Sequence, residues 1–133
     1  MAVAVVALLL VAQPCHVHGL LPDPACTPGS VETTDLAIVC GQRTSERRRV
    51  SAAVKRRVLE SYGYSKVTGL EVDHLIPIEL GGSNEIANLW PETDPGFREK
   101  DKVENRLHRE VCSGRMTIEA AQAVMAKDWT RAR

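Results

Sequence analysis

Aromatic side chains are scarce: the chain of 133 residues has one Phe, two Trp and two Tyr. A core must then rest on Val, Leu, Ile and Ala. Such a core is thin, the regime in which a metal ion or a disulfide clip helps to hold a small domain. The length leaves room for one small domain and excludes two. Net charge is missing too, with 17 Lys and Arg against 17 Asp and Glu, so the overall balance points to no polyanion partner. No two cysteines stand at CxxC spacing, which argues against a structural zinc knuckle. Internal repeats and low-complexity tracts are absent. The unbroken apolar run at residues 2–12 is too short to cross a bilayer as a helix.

That run fits the apolar segment of a signal peptide, and Val17 and Gly19 suit the −3 and −1 positions of a cut after Gly19. No Lys or Arg precedes it, which leaves retention as an anchor as the alternative. Residues 1–19 are thus expected to be a leader, residues 20–44 an extended arm and residues 45–133 the functional domain. The destination is secreted or periplasmic, with no integral membrane domain after leader removal. The cut discards Cys15 and leaves Cys26, Cys40 and Cys112. One disulfide and one free thiol is the simplest outcome, with the pairing open.

Local charge is less even than the total. Residues 41–66 hold eight basic side chains (Arg43, Arg47, Arg48, Arg49, Lys55, Arg56, Arg57 and Lys66) against Glu46 and Glu60. Such a cluster either binds phosphates or is a solvated helix face. Val50, Val54, Arg57 and Val58 recur at helical spacing and predict a basic helix over residues 45–61. Upstream, residues 35–40 read as a short strand. Downstream, residues 70–76 read as a strand broken by Pro77, and Gly81-Gly82-Ser83-Asn84 is a turn signal. A second strand is expected over residues 86–90 and a loop over 91–96. Val103, Leu107 and Val111 stripe a helix over residues 97–112, and Thr117 caps a final amphipathic helix over 117–129. The expected class is α+β.

The middle of the chain carries the chemistry. Asp73 is a hard oxygen ligand for a cation, and His74 suits proton transfer near neutral pH. Adjacent strand residues point to opposite faces, though twist at a strand end can bring both to one cleft. Asn88, fourteen residues beyond His74, is placed to bond backbone across the loop and to orient the imidazole. On the long helix Glu104 and His108 are four apart and stack beside the apolar stripe, with Asn105 further round. Each feature alone has an ordinary reading: a polar strand end, a turn residue, a surface pair.

Together they form a pattern. Val72-Asp73-His74-Leu75-Ile76-Pro77, then Glu79-Leu80-Gly81-Gly82, then Asn88-Leu89-Trp90-Pro91, resembles the HNH endonuclease signature, whose core is a ββα-metal finger. Residues 100–108 look like its helix. Ala25-Cys26-Thr27-Pro28-Gly29, Tyr62-Gly63-Tyr64 and Val111-Cys112-Ser113-Gly114 look like parts of small exported bacterial HNH-type proteins. The resemblance implies His74 as general base, Asp73 and His108 as metal ligands, and Asn88 as the residue that steadies the histidine loop. Many such proteins carry a CxxC pair that this chain lacks, and the interval from Asn88 to His108 is longer than in compact members. Glu104 and Asn105 therefore stay beside His108 as candidate ligands.

The expected function is metal-dependent hydrolysis of phosphodiesters in nucleic acid, DNA ahead of RNA, and the resemblance implies a 5′-phosphate product. One divalent ion suffices, magnesium first, with manganese, nickel or zinc open because of the histidine ligand. Arg47, Arg48, Arg49, Lys55, Arg56 and Arg57 are expected to hold the phosphate backbone. Tyr62 and Tyr64 are the only aromatic candidates for stacking, so sequence-specific reading is not expected. Two other classes stay open. One is an exported binding protein for nucleic acid or another polyanion on an inactive HNH scaffold. The other is a purely structural metal domain.

Overall fold

Two antiparallel strands and the long helix after them occupy the centre of the computed structural model, which describes residues 13–65 and 69–133. The apolar run at residues 2–12 and Lys66 lie outside the described residues. The elements are α1 (Leu36–Gly41), α2 (Thr44–Arg47), α3 (Ala52–Ser61), β1 (Leu70–His74), β2 (Leu89–Thr93), α4 (Gly96–Cys112) and α5 (Ile118–Asp128). Short 3-10 turns follow β1 at Ile78–Leu80, precede β2 at Ile86–Asn88 and close the chain at Trp129–Ala132. The fold is a small, mostly helical α+β domain.

Strand register sets what faces what. Leu70 pairs with Thr93, Asp73 with Trp90 and His74 with Leu89. Alternation puts Glu71, Asp73, Trp90 and Glu92 on one face and Val72, His74, Leu89 and Pro91 on the other. The first face meets α4 and the second turns toward α3. The connection between the strands is pinned by backbone close approach. Gly81 has φ +81°, and a Cβ on Gly82 would lie 1.8 Å from the Ile76 carbonyl oxygen, so only glycine fits there.

Val103, Leu107 and Val111 of α4 are buried against Ala121 and Met125 of α5, together with Leu80, Trp90 and Trp129. The periodic stripe alone predicts this face. Thr117 caps α5 by accepting from the Ala120 N–H. From α5, Gln122 Nε2 donates to the carbonyls of Thr33 and Leu80, tying arm and loop to the helix.

Several boundaries differ from expectation. Residues 35–40 are not a strand: Asp35 accepts from the Ala37 N–H and starts α1, and local capping outweighs the preference of Ile38 and Val39 for strands. The basic helix over residues 45–61 is broken. α2 ends at Arg47, and Ser51 restarts the chain as α3 by capping the Val54 N–H. The second strand begins at Leu89 and includes Pro91, because residues 86–88 form a 3-10 turn.

The described chain retains Cys15 and has two disulfides: Cys15 bonds Cys26, and Cys40 bonds Cys112, whereas one pair plus one free thiol is the expectation for a chain cut after Gly19. Cys15 is buried, and its N–H donates to the Ser61 carbonyl at 2.9 Å. The chain just before Gly19 thus belongs to the folded unit. Two disulfides are consistent with an oxidising compartment. Among the described residues, no helix is long and apolar enough to cross a membrane.

Candidate active site

β1 ends at His74, a residue 3% exposed that lines a cleft of about 1260 Å³ between β1 and α3. Arg48, Lys55, Arg56, Tyr64 and Val72 also line it. The ring is held by Asn84, with His74 Nε2 3.1 Å from Asn84 Oδ1. The Asn84 amide has a fixed orientation. Its Nδ2 donates to the Arg47 carbonyl at 2.9 Å, and its Oδ1 accepts from the Arg49 N–H at 3.0 Å. An oxygen therefore faces the imidazole, so Nε2 carries the hydrogen and Nδ1 carries the lone pair. Nδ1 has no protein partner and is not sealed from solvent among the described residues. Burial lowers the pKa of His74 below its ordinary value, despite the Asn84 bond and the nearby Asp73 charge, which raise it. A neutral ring with an open Nδ1 is the form a general base needs.

Asn88 is fully buried, and it staples the loop through the backbone. Its Oδ1 accepts from the Ile76 and Ser30 N–H groups, and its Nδ2 donates to the Ile76 and Ser83 carbonyls. Asn88 thus bonds backbone across the loop as expected, and the imidazole itself is held by Asn84, a residue that sequence reasoning does not single out. The glycine-rich turn was the available signal, since it delivers Asn84 back toward the strand end.

On the other face of the strand pair lies a buried charge cluster. Lys100, 0% exposed, donates from Nζ to Asp73 Oδ2 at 2.8 Å, to the His74 carbonyl at 2.6 Å and to Glu104 Oε1. Burial would lower the Lys100 pKa, but Asp73, Glu104 and Glu92 outweigh it and the ammonium persists. Burial would likewise raise Asp73, yet the Lys100 charge and hydrogen bonds from Lys100 and the His74 N–H hold it below its ordinary value. Glu92 is pushed by burial up to about 9, so it stays protonated near neutral pH, and its buried carboxyl oxygens have no hydrogen-bond partner among the described residues. Glu104 is raised by burial to about 7.

The metal ligands expected from the sequence are not brought together. Asp73 and Glu104 meet at Lys100. His108 lies elsewhere on α4, with Nε2 3.0 Å from the Val39 carbonyl and 3.5 Å from Cys112 Sγ. Asn105 is exposed. Cys40, Cys112 and His108 are close enough to suggest ligation, but both sulfurs are spent in the disulfide. The expected set does not fit a divalent ion as it stands, because its two nearest carboxylates already flank an ammonium.

The basic residues divide in the same way. Arg48, Lys55 and Arg56 face the cleft. Arg49 and Arg57 are exposed but do not line it. Arg47 is buried and donates to the Ile78 carbonyl at 2.9 Å while pairing with Glu32 at 3.1 Å, so it is a scaffold residue and not a phosphate ligand. Of the two tyrosines, Tyr62 is buried against Thr27 and the Asp23 N–H, and only Tyr64 reaches the cleft. Comparison of the chain with protein-family models, curated proteins and solved structures finds no match.

Proposed function

We propose that the protein hydrolyses phosphodiester bonds in nucleic acid, with the strand pair and α4 as an HNH-type ββα unit and His74 as the base. The observation that carries this reading is the imidazole at the cleft wall, pinned through Nε2 by Asn84 and open at Nδ1. In the reaction, Nδ1 takes a proton from water as the water oxygen attacks phosphorus. The bond from phosphorus to the 3′ oxygen breaks, and that oxygen takes up a proton from solvent. Arg48, Lys55 and Arg56 carry the phosphate charge along the cleft. Tyr64 offers one stacking face.

The test uses the purified full chain with plasmid DNA and with RNA. Cleavage is expected, and His74→Ala should lower the rate by about 10²–10⁴-fold without loss of fold by circular dichroism. Undiminished cleavage by that variant removes the base. A second reading is favoured by Lys100, which takes the carboxylates expected to bind an ion: the chain binds nucleic acid on this scaffold and cuts nothing. Retention of labelled DNA with no product under any condition supports it.

A further inference from the structure

A divalent ion on a site of this kind neutralises clustered oxygens and fixes them relative to the base. Here those oxygens are Asp73 Oδ2, the His74 carbonyl and Glu104 Oε1, and all three converge on a single lysine nitrogen. The nitrogen has no solvent exposure. Glu104 lies one helical turn beyond Lys100, so α4 presents both from one face toward β1. A buried ammonium persists only when its charge is paired and its three hydrogens are bonded. This one has three oxygen partners, so each hydrogen has its own acceptor. A divalent ion added to this cluster would meet the ammonium at close range in a low-dielectric setting, where like charges repel strongly.

We propose that the Lys100 ammonium is the resident cation of the site. It ties β1 to α4 behind His74 in place of a divalent ion, and the native protein holds no divalent ion on Asp73 and Glu104. Lys100 is a positioning residue: it bonds the His74 backbone carbonyl and the carboxylate beside it, and it never reaches the cleft. The inference rests on the hydrolase reading only for its catalytic consequence, which is cleavage that survives chelation.

The deciding measurement is metal binding by the folded full chain, independent of any activity. Mn²⁺ titrated into the native protein, followed by calorimetry and electron paramagnetic resonance, is expected to show no stoichiometric site. EDTA is expected to leave Tm unchanged. Lys100→Met removes the charge and keeps the length, leaving Asp73 and Glu104 facing each other. This variant should lose Tm and regain part of it with Mn²⁺. One Mn²⁺ bound by the native protein and lost in Asp73→Asn overturns the proposal, as does a folded Lys100→Met chain that gains no Mn²⁺ affinity. Should Lys100→Met fail to fold, the native titration decides alone. The two readings fail separately: a protein that binds no ion and cuts nothing sinks the hydrolase and leaves the resident cation standing.

Discussion

At the residue scale, function turns on which nitrogen of His74 carries its hydrogen. Asn84 settles this by turning an oxygen toward Nε2, and its own orientation is set by two backbone groups of the basic segment. Burial disfavours the imidazolium, so the neutral base persists to lower pH than for a free histidine. The acid limb of kcat/KM is therefore expected below 6.5, the ordinary value, with activity rising as pH increases through it. Asn84→Ala removes a bond that favours the charged ring. It should shift the limb further down and slow the plateau about fivefold, the equivalent of a hydrogen bond worth ~1 kcal/mol. A pH–rate profile of the two proteins checks this, and an unmoved limb removes Asn84 from the site. Asp73 and His74 were legible as candidates because an acid beside a histidine at a strand end is a recognisable arrangement. Asn84 was hidden inside a turn signal. Lys100 was hidden because lysine on a polar helix reads as surface, and nothing in local spacing announces that two carboxylates will converge on it.

At the scale of elements, the α4 stripe was legible since burial enforces its period. The basic segment was less so. Periodicity runs through Val50, Val54 and Val58, yet the chain leaves the helix after Arg47 and re-enters it at Ser51. That break turns Arg47 inward to Ile78 and Glu32 and leaves Arg48 on the cleft. Six arginines and lysines adjacent in sequence therefore have different physical roles. Replacing Arg48, Lys55 or Arg56 by Ala should lower the slope of log K against log salt for DNA binding by about one each. Arg49→Ala and Arg57→Ala should leave the slope close to that of the native chain. Arg47→Ala should lower Tm instead, since it leaves the Ile78 carbonyl without its donor. Filter binding across a salt series, beside thermal melts, separates the three groups. Equal slope losses at all six positions would show that the cleft is not the path of the phosphates.

At the scale of the molecule, two disulfides close what a thin core leaves loose. Cys40–Cys112 joins α1 to the end of α4 across 72 residues, and Cys15–Cys26 holds the first described residues to the arm across 11. On the chain-entropy model the longer loop is worth about 4 kcal/mol and the shorter about 3 kcal/mol. Cys40→Ser with Cys112→Ser should therefore destabilise more than Cys15→Ser with Cys26→Ser, as urea melts of the folded chains would show. Topology explains why the pairing was closed to sequence: α1 and the end of α4 become neighbours only after the strand pair and α4 have assembled. The short loop bears on processing. A cut after Gly19 discards Cys15, whose backbone is bonded to Ser61 and whose sulfur holds Cys26. It would leave Cys26 unpaired beside the Tyr62–Thr27 contact. Any leader cut is thus expected to fall ahead of Cys15. Mass spectrometry of the protein isolated from its native host, with and without reduction, should find a Cys15–Cys26 peptide. A mature terminus at Leu20 with Cys26 as a free thiol would show instead that the first disulfide is dispensable and that the arm is held by its other contacts, among them Thr27 with Tyr62, Gln122 with Thr33 and Asn88 with Ser30.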